Sequence, residues 1–172
     1  MTVPEEFQFS VRTLESRDQR SDFSCGNLAL DQYFKKQIGQ DCRKGVAVAF
    51  VLVDEKCGRV AGFYTLSATS ILLSDLPPET AKRLPKYPRV PATLIGRLAV
   101  DLRYRGQKLG EFMLMDAMRR SLEASREVGS MAVIVDSKDA ESKAFYRRYG
   151  FIELVDDRYR LFLSLKTIES LF

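Results

Sequence analysis

One passage constrains the fold of this chain more than any other. Thr93 to Val100 (TLIGRLAV) is an apolar, β-prone run. It leads into Asp101–Gly110 (DLRYRGQKLG), a basic loop carrying two glycines. From Gln107 to about Arg126 the spacing turns helical. Met113 aligns with Ala117, and Leu114 with Met118 and Leu122, while Arg119, Glu123 and Arg126 face away. A strand that feeds an amphipathic helix through a short loop calls for a sheet with a helix packed on it.

The remaining patterns supply that sheet. Phe7–Leu14 alternates as a strand with one buried face. After a turn at Phe23–Gly26, Asn27 can cap a helix running through Leu30, Tyr33, Phe34 and Ile38. Val46–Val53 reads as a central strand, Asp54–Gly58 as a turn, and Arg59–Leu72 as its antiparallel partner. A short helical piece follows Leu76-Pro77-Pro78 and reaches Leu84; Pro85, Pro88 and Pro91 then predict an irregular, exposed connection. Gly96, inside the next strand, points to a bulge or a close backbone approach. Met131–Val135 is a buried strand. Ser137 is expected to cap a helix with Asp139 and Glu141 in its first turn, stopping at Gly150 as a left-handed cap. Phe151–Leu154 and Tyr159–Leu165 form two last strands around a turn at 155–158. The order β-α-β-β-(α)-β-α-β-α-β-β predicts an α/β (α+β) fold. Its mixed, mostly antiparallel sheet has six to seven strands flanked by helices.

At 172 residues the chain is expected to form a single domain, 1–172, around one core. No window approaches the ~20 apolar residues of a membrane span, and the N-terminus lacks the pattern of a secretory signal. Cys25, Cys42 and Cys57 are odd in number and far apart, with no zinc-ligand spacing. The expected location is therefore cytoplasmic, with reduced thiols and no metal site. Histidine is absent. That excludes Ser-His-Asp and Cys-His catalysis and any histidine general base.

Charge is concentrated. Between Lys82 and Arg120 ten cations face three acids, Asp101, Glu111 and Asp116. This excess of seven exceeds the net +4 of the whole chain, so the remainder is net negative by three. A basic stretch of this kind points to a polyanionic partner. The basic loop before the long helix is itself an anion cradle, because free backbone N–H groups and the positive end of the helix dipole meet there. No GK[ST] follows the glycines, so it is not a P-loop, and its spacing is not that of a dinucleotide fingerprint.

Arg105-x-x-Lys108-x-Gly110, after Leu98-Ala99-Val100, resembles the acyl-CoA loop of the GNAT N-acyltransferase superfamily. Ala144-Phe145-Tyr146-Arg147-Arg148-Tyr149-Gly150-Phe151 resembles that superfamily's A-x-Y-x-x-x-G-F element. Two positions depart from its pattern: Lys108 stands where a glycine is usual, and Asp139 where many members carry asparagine. A narrower resemblance lies in Phe23-x-Cys25-Gly26-Asn27-x-x-Leu30-Asp31-x-Tyr33 and in Ile95–Asp101. Both are similar to the TacT-like acetyltransferase toxins of bacterial toxin–antitoxin modules.

The resemblance implies a GNAT sheet splayed between its fourth and fifth strands, and acetyl-CoA as cofactor. It places Leu98, Ala99, Val100, Arg105, Gly106, Gln107, Lys108, Leu109, Gly110, Asp139, Ser142 and Phe145 at that cofactor. It further implies an aminoacyl-tRNA substrate acetylated on its α-amine, a ribbon-helix-helix antitoxin and a homodimer. Tyr146 is the candidate acid, since a phenol of pKa ~10 can donate to a departing thiolate of pKa ~8.5; Phe145 and Tyr149 also read as packing aromatics. An α-amine at ~7.7–8.0 needs little help to lose its proton, which suits a chain without histidine. Lys82, Arg83, Lys86, Arg89 and Arg97 are the candidate tRNA contacts, of a kind that positions without reading sequence. Two other readings stay open: a GNAT enzyme acting on a small amine or a protein N-terminus, and a non-catalytic binding module that keeps the fold.

Overall fold

The computed structural model describes residues 7–172. Seven strands form one sheet in the order β1-β2-β3-β4-β5-β7-β6. They are β1 (Phe9–Thr13), β2 (Val48–Asp54), β3 (Arg59–Leu72), β4 (Arg89–Val100), β5 (Ala132–Asp136), β6 (Ile152–Glu153) and β7 (Arg160–Ser164). The helices are α1 (Leu28–Gln32), α2 (Ile38–Arg43), α3 (Pro78–Ala81), α4 (Leu109–Ala124), α5 (Ala140–Arg148) and α6 (Leu165–Glu169). No helix among the described residues is long and apolar enough to cross a membrane. The chain packs as two compact units, one ending at Thr65 and taking in Arg97–Asp116, the other made of Leu66–Gly96 and Ala117–Phe172.

In the first unit β1 pairs antiparallel with β2, from Phe9↔Asp54 to Thr13↔Phe50. Its core gathers Phe23, Phe34, Ile38, Val51 and Phe63. The rings of Phe34 and Phe63 stack at 4.3 Å, with Phe23 4.7 Å from Phe34. The helix expected after Asn27 does form, but it is interrupted. Tyr33–Gln37 is a π-helical turn between α1 and α2. Asp54, buried at the end of β2, accepts hydrogen bonds from the Tyr104 hydroxyl at 2.7 Å, Gln8 at 2.8 Å and the Lys56 amide at 3.0 Å. Burial opposes its charge, yet these donors prevail and lower its pKa to about 2.

In the second unit β5 is the hinge of the pairing. It runs parallel to β4, from Thr93↔Val133 to Ile95↔Val135, and antiparallel to β7, from Ala132↔Ser164 to Asp136↔Arg160. Ile71, Leu76, Val90, Ile134 and Phe162 pack together there. Gly150 takes φ +94°, ending α5 in the left-handed conformation expected of it.

Three further details differ from the sequence pattern. β4 begins at Arg89, so Pro91 lies inside a strand; its carbonyl accepts from the Met131 amide at 2.9 Å, and that bond needs no proline N–H. Ser137 does not cap α5: its hydroxyl donates to the Tyr159 carbonyl at 2.7 Å, and Asp139 is the cap. The pattern gives no sign of α6, whose five residues are too few to show a helical period; Ser164 caps it and Leu165 and Ile168 bury.

Candidate active site

The loop after β4 is held from several sides. Asp101 is almost fully buried and caps the short turn Leu102–Tyr104. Its carboxylate accepts from the Arg103 amide at 2.9 Å and from the Arg103 guanidinium through two bonds of 2.9 Å. Hydrogen bonding to Arg103 and Ser24 outweighs burial and keeps Asp101 ionised. The Ser24 amide donates to Asp101 at 3.2 Å, and the Leu102 amide returns a bond to the Ser24 carbonyl at 2.8 Å. Arg105 donates to the Cys25 carbonyl at 3.1 Å.

That contact gives the Phe23–Tyr33 motif a physical meaning. Asp31, also buried, accepts the Cys25 amide at 2.8 Å, and Asn27 accepts the Leu30 amide at 3.1 Å as the cap of α1. Gly26 turns the chain at φ +87°, and a Cβ there would lie 3.0 Å from the Arg105 guanidinium. The turn is a bracket for the basic loop. Sequence reasoning placed Arg105 at the cofactor loop, but it met Ser24, Asp31 and Asp101 only as letters of the two motifs and gave them no role; the available signal was the acid placed four residues after the capping asparagine.

The loop then makes two left-handed turns, Gly106 at φ +83° and Lys108 at φ +58°. Gly106, Gln107 and Lys108 are exposed, Leu109 is buried and Gly110 is half-buried. A Cβ at Gly106 would meet nothing within 4 Å. An open turn at the head of a 16-residue helix fits a diphosphate, which takes up N–H groups and the positive helix end. Lys108 is the one non-glycine residue at positive φ among the described residues. That explains why a glycine is usual here: the left-handed conformation costs an L-residue about 1–2 kcal/mol. Lys108→Gly should therefore raise the melting temperature by about 1–3 °C, part of the relief being returned to the more flexible unfolded chain. A lower melting temperature on thermal unfolding would show that the lysine side chain repays the strain.

Leu98 and Val100 of β4 are half-buried and Ala99 is buried. On α5, Asp139 and Ser142 form a capping box: Asp139 accepts the Ser142 amide at 2.8 Å, and the Ser142 hydroxyl accepts the Asp139 amide at 3.2 Å. Phe145 is half-buried and meets both Tyr146 and Tyr149 edge-on at 5.2 Å.

Tyr146 differs from the other buried tyrosines. Tyr33, Tyr64 and Tyr104 donate their hydroxyls to Asp41, Asp116 and Asp54. The Tyr146 ring is buried to 7 % exposure against Phe145 and Phe151. Its hydroxyl has no hydrogen-bond partner among the described residues, yet no enclosed, unsatisfied side-chain polar atom occurs there either. The hydroxyl tip therefore reaches solvent. Burial, and secondarily the Asp136 charge, push this phenol above its ordinary value, so it stays protonated at neutral pH.

Lys82, Arg83, Lys86 and Arg89 are all exposed on one short stretch. Lys82 pairs with Glu79 at 2.9 Å and Arg89 reaches Ser70 at 3.4 Å. Exposed contacts of this kind hold little energy, so these cations are at the disposal of a partner. Arg97 belongs to the first unit, where its guanidinium lies over the Tyr33 ring, 3.7 Å from the centroid.

Residues 90–166 match the acetyltransferase (GNAT) domain family. Over 160 residues the chain is 32% identical to the tRNA-acetylating toxin of Mycobacterium tuberculosis, covering 93% of this chain and 94% of that protein. Among solved structures it is similar to AtaT complexed with acetyl-methionyl-tRNAfMet, with a TM-score of 0.89 at 28% identity over 95% of this chain and 99% of that one. It is also similar to a tyrosine-to-phenylalanine mutant of AtaT bound to the C-terminus of the antitoxin AtaR and acetyl-CoA. There the TM-score is 0.82 at 25% identity, over 96% of this chain and 99% of that one.

Proposed function

We propose, from the premise that this chain belongs to the TacT-like toxins of the GNAT acetyltransferase superfamily, that it acetylates the α-amine of an amino acid esterified to tRNA. An acetylated amine can no longer act as a nucleophile in peptide-bond formation, so translation stops. The likeness to a tRNA-acetylating toxin and to AtaT with acetyl-methionyl-tRNA supports the substrate. The observation that carries the chemistry is Tyr146, a buried and protonated phenol whose hydroxyl no side chain occupies.

Acetyl-CoA, when bound, supplies the acetyl group as an activated thioester. Arg105, Gly106, Gln107, Lys108, Leu109 and Gly110 hold its diphosphate at the head of α4. Backbone N–H groups of the Leu98–Val100 segment donate to the thioester carbonyl oxygen, orienting it and stabilising its developing negative charge. Asp139, Ser142 and Phe145 flank the pantetheine arm, the first two keeping the start of α5 rigid through their capping box. As the substrate nitrogen bonds to the carbonyl carbon and the carbon–sulfur bond breaks, Tyr146 delivers its Oη proton to the departing sulfur, and the proton shed by the nitrogen restores the phenol through solvent. No strong base is required, because an α-amine of pKa ~7.7–8.0 is substantially neutral near pH 7–8. Lys82, Arg83, Lys86, Arg89 and Arg97 contact phosphates of the tRNA acceptor arm. The active toxin is a cytoplasmic homodimer, and a ribbon-helix-helix antitoxin neutralises it.

The test is transfer of labelled acetyl from acetyl-CoA to a pool of charged tRNAs, with uncharged tRNA and free amino acids as controls. Label on charged tRNA alone is expected, with activity falling steeply as salt rises. Label on free amines or peptides alone, without salt dependence, would overturn the tRNA assignment.

A further inference from the structure

Arg97 is held in an unusual way. It is half-buried on β4, and its guanidinium meets the Tyr33 ring face-on at 3.7 Å. None of its five N–H donors has a hydrogen-bond or ion-pair partner among the described residues. The face of the guanidinium is therefore engaged while its edge is unspent. That edge is the part that binds a phosphate through two parallel bonds.

The Tyr33 ring is itself fixed. It is buried to 8 % exposure and packs on the fully buried Phe63 at 6.5 Å. Its hydroxyl donates to one Asp41 oxygen at 2.9 Å, and Gln37 donates to the other at 2.9 Å. The π-helical turn makes this possible. Two regular α-helical turns take about seven residues, which would leave positions 33 and 41 out of line. The wider turn Tyr33–Gln37 adds a residue and brings them onto one face. Such turns cost helix regularity and are frequent at functional sites.

We propose that Tyr33 and Asp41 are positioning residues for Arg97, holding its guanidinium face-on so that its N–H edge is presented to a phosphate of the tRNA acceptor end. This rests on the reading of Arg97 as a tRNA contact. Tyr33 supplies the flat surface, and Asp41 with Gln37 prevents that surface from rotating. The Tyr33 hydroxyl serves only as a donor: burial, and then the bond to Asp41, push its pKa up to about 12.

The experiment is a double-mutant cycle read as kcat and KM for a pool of charged tRNAs, alongside acetyl-CoA affinity. Arg97→Ala should raise the tRNA KM about ten-fold and make the log–log salt slope shallower by about one, with acetyl-CoA affinity unchanged. Tyr33→Phe and Asp41→Asn, which keep the packing volume, should each raise the tRNA KM about three-fold and leave kcat nearly intact. In the Arg97→Ala background both should have no further effect. Equal effects of Tyr33→Phe with and without Arg97 would overturn the positioning role while leaving the tRNA contact in place. An unchanged KM in Arg97→Ala itself would remove the tRNA contact, and the positioning role with it. Tyr33→Leu, which removes the ring, should approach the Arg97→Ala value; wild-type tRNA KM in a folded Tyr33→Leu protein would also overturn the proposal.

Discussion

Tyr146→Phe should lower kcat for acetyl transfer by two orders of magnitude or more, while thermal stability and acetyl-CoA affinity stay close to those of the unmodified chain. The size follows from the role. A positioned general acid contributes about 10²–10⁴-fold, and phenylalanine removes the proton without changing the ring. The structure makes the substitution unusually clean. The ring is packed against Phe145 and Phe151, and a phenylalanine fills the same space. The hydroxyl has no protein partner among the described residues, so its removal strands no buried group. The same change at Tyr33 or Tyr104 would take one hydrogen bond from a carboxylate. A pH profile gives a second readout. An acid must be protonated to act, and burial pushes this phenol above its ordinary value. Tyr146 should thus contribute no falling alkaline limb below about pH 9, and the acid limb should belong to the substrate amine. Unchanged kcat in Tyr146→Phe would remove the residue from the mechanism.

The parts of the fold that follow a simple period were legible in the sequence. Arg59–Leu72 forms the expected strand at the expected residues, because the turn at Asp54–Gly58 sends the chain back beside the apolar, β-branched run that precedes it. Gly150 ends α5 with the positive φ that its place after a basic last turn demands. What escaped was set by contacts far apart in the chain. Pro91 reads locally as a breaker, but it sits in β4 because its carbonyl, not its nitrogen, makes the bond that matters. Ser137 reads as well as Asp139 for a cap, and only the backbone direction decides between them. Of the candidate site, the loop Arg105–Gly110 drew attention because glycines and cations suggest an anion turn. The bonds by which Ser24, Asp31 and Asp101 support it did not, since those bonds run through the backbone amides of Ser24, Cys25 and Arg103, which leave no pattern in a sequence.

The glycine that controls close approach is another such case. Gly96 draws attention as a glycine inside a strand, but in the first unit the tight position is Gly62 in β3. A Cβ there would lie 2.8 Å from the Ala99 carbonyl oxygen and 2.8 Å from the terminal methyl of Met113. These neighbours differ in how far they can yield. The Met113 thioether is flexible and can swing aside, although it is fully buried. The Ala99 carbonyl belongs to the backbone of β4 and can retreat only if the strand moves with it. Gly62→Ala should therefore destabilise the protein. Overpacking costs about 1–3 kcal/mol, and a strand position returns only about 0.5–1 kcal/mol when glycine becomes alanine. A net loss of about 1 kcal/mol corresponds to a fall of about 2–4 °C in melting temperature for a chain of this size. The displaced strand carries Leu98, Ala99 and Val100, so acetyl-CoA affinity should fall as well, even at temperatures where the variant is fully folded. Adding Met113→Ala separates the two contacts. If the carbonyl is the obstacle, the penalty of Gly62→Ala should persist in that background; if it disappears, the methionine alone set the limit and β4 was never pressed.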